Sequence, residues 1–144
     1  MKRAEQLQKL SREHHDSLIM ARTLIRVVET GSETDLQEAI ATVTKFFDDE
    51  IEEHFQHEER TIFAPIFKDY KEHMELSKTL LKEHGFMRLM IPKLALEGTR
   101  ENLAEFALVL KNHTHTEERD LFPIIEKRFT DEQLDAILNF VPIN

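Results

Sequence analysis

The chain has 144 residues, a formal net charge of −9 and no cysteine. Its length suits one domain with a single core, and the lack of cysteine excludes disulfides, thiolate catalysis and iron–sulfur ligation. The negative charge argues against nucleic acid or anionic lipid as a partner, because both are themselves negative.

The composition and the start of the chain favour helix. Three glycines and four prolines leave little room for a turn-rich β structure, while Lys, Glu, Leu and Ala are abundant. The first helix is predicted over residues 3–30, with Gly31 as its C-terminal stop. Capping residues at 32–35 begin the second helix, and Pro65 is expected to kink or terminate it.

The second half of the chain repeats this layout. A third helix is predicted over residues 70–97, where Pro92 should bend it before the stop at Gly98. Thr99 can cap a fourth helix, which Pro123 should interrupt. A capping box at residues 130–133 predicts a short fifth helix, which ends before the last proline.

Together these elements predict an all-α protein. Helices of roughly 25 residues span about 37 Å each, and short connections force neighbouring helices to run antiparallel. The expected architecture is an up-down-up-down four-helix bundle with a short C-terminal fifth helix, and residues 1–144 form a single domain.

Several polar residues lie on the apolar stripes that should face the core. An ionised carboxylate is costly to bury without a partner, and imidazoles on the same faces need hydrogen bonds as well. A bound cation explains both, because it supplies positive charge to the carboxylates and a bond to each imidazole. The candidate ligands are His14, His54, Glu58, His84, His113 and Glu117.

The spacing of these residues suits a shared site. Residues four apart lie on the same face of a helix. His54 and Glu58 can therefore reach one site, and His113 and Glu117 can do the same. His15, His57 and His115 share their faces with charged residues and are interpreted as lying at the surface or beside the ligands.

The chain also contains an internal repeat. "HFQHEERTIF" at residues 54–63 matches "HTHTEERDLF" at residues 113–122, and "REHHDSLIM" at residues 12–20 matches "KEHGFMRLM" at residues 82–90. Each half is a helix pair with one lone histidine and one H-x-x-x-E, so two halves packed face to face form a pseudo-two-fold site. A copied hairpin with ordinary core histidines is the alternative, but it leaves the buried glutamates unexplained.

Four imidazoles and two carboxylates exceed the needs of one ion. Two ions, each held by two histidines and sharing two bridging carboxylates, use all six groups. Mixed nitrogen and oxygen ligands without sulfur suit iron or manganese better than copper or calcium. Open positions remain at each ion for water, an oxo or hydroxo bridge, or a small diatomic molecule.

The segments "EHH", "HFQHEERTIFAP", "KEH" and "HTHTEERDLFP" resemble the hemerythrin-like, or HHE cation-binding, domains over residues 11–129. The resemblance implies a four-helix bundle around a non-haem di-iron centre. It places His14 and His54 on one iron and His84 and His113 on the other, with Glu58 and Glu117 as bridges.

The chain resembles the four-histidine, two-glutamate type within this family. Oxygen-carrying hemerythrins have a fifth histidine one turn from the position of His84, where this chain has Leu80 and Arg88. The bacterial iron–sulfur-repair proteins share the six-ligand pattern but carry a cysteine-containing segment that this sequence lacks. Ferritin-like proteins use E-x-x-H, and no histidine here has a glutamate three residues before it.

These features give two main functional hypotheses. The first is a di-iron protein that binds oxygen, nitric oxide or peroxide for sensing, storage or stress response, in a pocket kept dry by phenylalanines. The second is an enzyme at the same centre, catalysing peroxide disproportionation, nitric oxide reduction, or iron donation and iron–sulfur repair, with His57 or Tyr70 as a proton source. A signalling module and a structural metal bundle are further alternatives.

The remaining expectations concern location and partners. Residues 1–10 have no apolar stretch of signal-peptide length, and no run approaches the roughly 18 apolar residues of a membrane span. We therefore expect a cytoplasmic protein whose partner is a small diatomic molecule or peroxide. The sequence leaves the oligomeric state open.

Overall fold

The computed structural model describes residues 3–142, and all regular structure in that range is helical. A 3₁₀ turn, Glu5–Leu7, leads into the first helix, and another, Lys71–His73, precedes α5. The α-helices are α1 Gln8–Thr30, α2 Glu33–Phe46, α3 Glu52–Glu58, α4 Ala64–Asp69, α5 Met74–Leu96, α6 Arg100–Thr116, α7 Phe122–Arg128 and α8 Asp131–Leu138.

Four bundle helices are assembled from these segments. α1 and α5 are the first and third. The second consists of α2, α3 and α4, joined by the π turns Phe47–Ile51 and Glu59–Phe63, and the fourth consists of α6 and α7, joined by the π turn Glu117–Leu121. α1 and α5 each pack against both α2 and α6. The predicted up-down-up-down bundle with a fifth C-terminal helix is confirmed.

The predicted helix starts are confirmed by their caps. The Ser32 hydroxyl accepts a hydrogen bond from the backbone N–H of Asp35, whose side chain accepts one from Ser32 in return. The side chains of Thr99 and Thr130 accept N–H bonds in the same way at the starts of α6 and α8. These side chains satisfy donors that a helix N-terminus otherwise leaves free.

The prolines interrupt the bundle less than the sequence suggests. α-Helix continues past Pro65 to Asp69, so of the two expected effects, a kink or termination, termination does not occur. Pro65 and Pro123 each lie at the second residue of the α-helical segment that follows a π turn, so the change in hydrogen-bonding register coincides with the residue that has no N–H. Pro92 lies inside α5, which continues to Leu96.

Gly31 and Gly98 end their helices by close approach rather than by an unusual backbone. Gly31 has φ −78° and ψ 154°, and no described glycine has a positive φ. A Cβ on Gly31 would lie 2.7 Å from the carbonyl oxygen of Val27, and one on Gly98 would lie 2.5 Å from Cδ1 of Ile40. Only a residue without a side chain fits these positions.

The core consists of two apolar clusters separated by a polar layer. The first cluster lies towards the α1–α2 and α5–α6 connections and includes Phe47, Phe55 and Phe106. The second lies towards the chain ends and includes Phe63 and Phe122. Every bundle helix crosses from one cluster to the other. Among the described residues, no helix is long and apolar enough to cross a membrane.

Candidate metal centre

The six candidate ligands meet between the two apolar clusters and form the polar layer. All six are buried, and Glu58 and Glu117 are each 0% exposed. The four bundle helices all contribute, because each carries a polar residue at the same depth of its apolar stripe. The polar layer consists of His14 from α1, His54 and Glu58 from α3, His84 from α5, His113 from α6, and Glu117 from the π turn after α6.

The polar layer divides into two groups of possible ligand atoms. In the first group, the atoms of His14, His54, Glu58 and Glu117 lie within 4.8 Å of one another. Nε2 of His14 lies 2.8 Å from Oε1 of Glu117 and 3.3 Å from Oε2 of Glu58. Nε2 of His54 lies 3.2 Å from the same Oε2.

The second group uses the other oxygen of each carboxylate. Nε2 of His84 lies 3.3 Å from Oε1 of Glu58, and Nε2 of His113 lies 3.2 Å from Oε2 of Glu117. These four residues also offer atoms within 4.8 Å of one another. Each glutamate therefore presents one oxygen to either group, which is the arrangement that a carboxylate needs to bridge two cations.

Unpaired buried atoms test whether this donor set fits a cation. Oε1 of Glu58, Nε2 of His84, Nε2 of His113 and Oε2 of Glu117 have no hydrogen-bond partner. All four belong to the second group, and they approach one another without the alignment of a hydrogen bond. Buried polar atoms are rarely left unpaired, because desolvation costs free energy. Two imidazole nitrogens and two carboxylate oxygens that lie close together without hydrogen bonds fit a bound cation.

Without a cation, the charges of the polar layer balance one another. Burial and the Glu58 carboxylate raise the pKa of Glu117, but His113 and His14 outweigh them and lower it to about 2. Burial lowers the pKa of His113, but the Glu117 carboxylate outweighs it and raises the pKa to about 9. Protons on the imidazoles therefore occupy the place of a metal, and a cation has to displace them to bind.

Four further glutamates, the outer carboxylates, hold the Nδ1 atoms of the four imidazoles. A carboxylate only accepts hydrogen bonds, so each Nδ1 carries a hydrogen and donates it. The lone pair of Nε2 is then free to face the polar layer, and the ring is fixed in that orientation. The contacts are His14 to Glu118 at 2.6 Å, His54 to Glu13 at 2.8 Å, His84 to Glu59 at 2.8 Å, and His113 to Glu83 at 2.8 Å.

The sequence did not predict the role of the outer carboxylates. Each lies next to a candidate ligand in the chain: Glu13 before His14 and Glu59 after Glu58, with the same order in the second half. A helical step turns the side chain by about 100°, which directs it to the neighbouring helix. The signal was the E-H and E-E pairs that recur in both halves of the repeat.

Aromatic rings lie directly against the imidazoles. Phe55 stacks on His84, with ring centroids 3.7 Å apart and planes 8° apart, and Phe122 lies 5.0 Å from His14. Phe47 and Phe106 are buried behind Phe55. Phe55 and Phe122 therefore cover one face of the imidazoles of His84 and His14 with apolar surface. Phe86 is only partly buried and packs against the first apolar cluster.

The histidines outside the polar layer differ in their surroundings. His57, interpreted as lying at the surface or beside the ligands, is buried and does not lie at the surface. The C-terminal segment covers it: Nε2–H donates to the carbonyl of Ile137 at 2.8 Å, and Phe140 stacks on the ring. Burial lowers its pKa. His15 is exposed, and the second predicted proton source, Tyr70, directs its hydroxyl to the carbonyl of Arg128 and the side chain of Gln133.

Comparison with protein families agrees with this geometry. Residues 5–125 match the family model described as hemerythrin HHE cation binding domain. The match contains all six residues of the polar layer. Comparisons with curated proteins and with solved structures found no match.

Proposed function

The chain belongs to the hemerythrin HHE cation-binding family, and we propose that its polar layer holds two non-haem iron ions at which a small molecule binds. Oxygen, nitric oxide and peroxide are the proposed ligands, and sensing, storage or a stress response is the proposed role. The proposal rests on the orientation of the two buried carboxylates. Glu58 and Glu117 each direct one oxygen to the first group of ligand atoms and the other oxygen to the second group.

The donor set supports iron as the metal. Each group offers two imidazole nitrogens and two carboxylate oxygens. This mixture suits iron or manganese, whereas Cu(I) and zinc–thiolate sites need sulfur ligands, which these groups lack. Four protein ligands per ion would leave room at each ion for a small molecule. Bound iron would supply a Lewis acid and a one-electron redox couple at those positions, with an oxo or hydroxo bridge between the two ions.

The protein's own contribution is to position the ligands and to exclude water. The outer carboxylates fix the imidazole tautomers, and Phe55 and Phe122 cover the imidazoles of His84 and His14. A dry surrounding strengthens electrostatic interactions within the layer. It also limits the access of protons to a bound molecule.

The described residues favour binding over turnover. An enzyme at this centre needs a proton donor beside the polar layer. His57 has its Nε2–H committed to the carbonyl of Ile137, and the hydroxyl of Tyr70 is committed to Arg128 and Gln133. Peroxide disproportionation, nitric oxide reduction and iron donation are therefore secondary to ligand binding in this proposal.

Metal analysis combined with optical spectra tests the proposal. We expect two irons per chain in anaerobically prepared protein and, after air, absorption in the near ultraviolet and visible from an oxo-bridged ferric pair. Spectral changes that reverse when the gas is removed support binding, and irreversible oxidation with steady consumption of peroxide or nitric oxide supports the enzyme. Zinc alone, or one metal per chain, contradicts the di-iron proposal.

A further inference from the structure

Two arginines hold two of the outer carboxylates in place. The guanidinium of Arg88 donates to Glu59 at 2.7 Å and 3.1 Å, and to Glu52 at 2.8 Å and 2.7 Å. Glu59 is the residue that accepts the Nδ1–H of His84. A guanidinium paired with two carboxylates in this forked geometry has little freedom to move.

Arg3 makes the corresponding contacts in the other half of the protein. Its guanidinium lies 3.6 Å from the carboxylate of Glu118 and donates to the backbone carbonyl of that residue at 3.1 Å. It also pairs with Glu126 at 2.7 Å. Glu118 accepts the Nδ1–H of His14 and a hydrogen bond from Ser11. The arginine contact with the outer carboxylate is therefore longer on this side.

Each arginine also covers the aromatic ring that packs on the same imidazole. Arg88 lies 5.5 Å from the centroid of Phe55, which stacks on His84. Arg3 lies 5.6 Å from the centroid of Phe122, which lies against His14. One imidazole in each half is thus bounded by a glutamate, a phenylalanine and an arginine that contacts both.

The internal repeat did not produce this similarity. The offset that aligns His14 with His84 places Leu18 opposite Arg88 and His73 opposite Arg3. Arg88 lies one turn after its histidine on α5, whereas Arg3 lies before the first helical turn of the chain. Two unrelated positions provide the same set of contacts, so the contacts themselves are the common requirement.

We propose that Arg88 and Arg3 are positioning residues that hold Glu59 and Glu118 against the metal-binding imidazoles, and that these two arginine–glutamate pairs set the reduction potential of the bound ions, one pair for each ion. This inference rests on the proposed function, because it requires a redox-active metal pair. A carboxylate on Nδ1–H increases the electron donation of the imidazole and favours the more highly charged, oxidised metal. The arginine opposes that charge.

The two members of a pair should therefore have opposite effects. Glu59→Gln keeps the shape of the side chain and its acceptor oxygen but removes a negative charge, so the reduction potential should rise. Arg88→Gln removes a positive charge, so the potential should fall. At a fixed applied potential, each change should shift the ratio of reduced to oxidised protein by about tenfold. This corresponds to a change of about 59 mV in the reduction potential for a one-electron step. Arg88→Lys keeps the charge and should restore most of the wild-type potential.

The experiment is a redox titration of iron-loaded variants, with iron content measured for each. Arg3→Gln should lower the potential less than Arg88→Gln, because its contact with the outer carboxylate is longer. Arg60→Gln and Arg119→Gln are matched controls, since both arginines are exposed and follow an outer carboxylate directly in the chain. Each control should change the reduction potential much less than Arg88→Gln does.

A second readout keeps the test independent of the iron chemistry. In cobalt-loaded protein, the four imidazole N–H protons should give shifted, exchangeable proton NMR signals, and Glu59→Gln should alter one of them and accelerate its exchange with solvent. Equal shifts for the controls, or shifts of the same sign for Glu59→Gln and Arg88→Gln, overturn the inference while the di-iron proposal stands. A wild-type protein without a redox-active metal pair overturns both.

Discussion

Glu58 and Glu117 are the residues on which both groups of the polar layer depend. Each is fully buried, and each offers its two oxygens to different pairs of imidazoles. A histidine belongs to one group only, so losing it removes one nitrogen from one group. Losing either glutamate removes an oxygen from both groups and leaves several buried imidazoles without an anionic partner.

Replacing Glu58 with Ala should therefore reduce the metal content from two ions per chain to at most one. Metal analysis of the purified variant, corrected for protein concentration, measures this directly. Glu53→Ala is a matched control, because Glu53 is an exposed glutamate in the same helix segment. If the Glu58 variant retained two ions while remaining folded, the assignment of Glu58 as a bridge would be wrong.

The shifted pKa values predict opposite pH responses for the metal-free and metal-loaded protein. The pKa of His113 is raised to about 9, so its protonation stabilises the metal-free fold fully below its unfolded pKa of about 6.5, and this stability is lost as the pH rises through about 9. The pKa of Glu117 is lowered to about 2, so its contribution is present above about 4.3 and is lost in stronger acid.

Metal binding displaces the imidazole protons, so its affinity should increase as the pH rises from 6 to 9. Thermal unfolding at both pH values, with and without metal, should show a metal-induced increase in melting temperature that is larger at pH 9. Proton release on metal addition in weakly buffered solution provides a second measurement. An increase that is larger at pH 6 would contradict the protonated state inferred for the metal-free polar layer.

The sequence predicted the six residues of the polar layer because polar side chains on an apolar stripe are a strong signal. It did not predict the outer carboxylates. Glu13 and Glu83 lie at helix positions where a charged residue is equally consistent with exposure to solvent. The role of Arg88 was also missed, because its partner Glu59 lies on another helix. Contacts between helices depend on rotation about the helix axes, which hydrophobic periodicity fixes only coarsely.

At the scale of elements, the helix ends were predictable and the π turns were not. Ser32, Thr99 and Thr130 cap helices as expected because capping is a local interaction. A π turn adds one residue to a helical turn without changing which residues are apolar, so the stripe on either side of Pro65 or Pro123 gives no sign of it. The π turn before Pro65 begins directly after Glu58, and the π turn before Pro123 begins at Glu117.

Gly85 inside α5 and Gly98 just after its end allow an element-scale prediction. Gly85 lies inside the helix with nothing within 4 Å of an added Cβ, so Gly85→Ala should raise the free energy of unfolding by about 0.5–1 kcal/mol through lower backbone entropy in the unfolded chain. Gly98→Ala should lower it by about 1–3 kcal/mol, because the new Cβ would lie 2.7 Å from the backbone carbonyl of Leu94. Urea unfolding of the metal-free protein measures both, and destabilisation by Gly85→Ala would contradict the open space beside that residue.

At the scale of the whole molecule, a polar layer between two apolar clusters should make stability depend on metal. The buried carboxylates and imidazoles interrupt the core, and a cation in each group would compensate for their desolvation. The repeat in the sequence predicted this arrangement of the bundle. It did not predict the packing of the C-terminal segment over His57, which depends on Phe140 and the carbonyl of Ile137 outside the repeat.

Metal should therefore raise the melting temperature of the whole bundle. Free metal at about a hundred times its dissociation constant adds about 2.7 kcal/mol for one site, which corresponds to about 5–11 °C for a domain near 150 residues. Calorimetry with metal and with a chelator measures the difference. Wild-type protein whose melting temperature does not respond to iron, cobalt or zinc would exclude a cation site in the polar layer.

The shared use of Glu117 has a consequence for how the protein matures during synthesis. Both ligand groups require this residue, which follows the other five residues of the polar layer in the chain. An emerging N-terminal hairpin carries His14, His54 and Glu58 but cannot complete either group. We therefore expect both groups to be filled with metal only after the last bundle helix has docked against the other three.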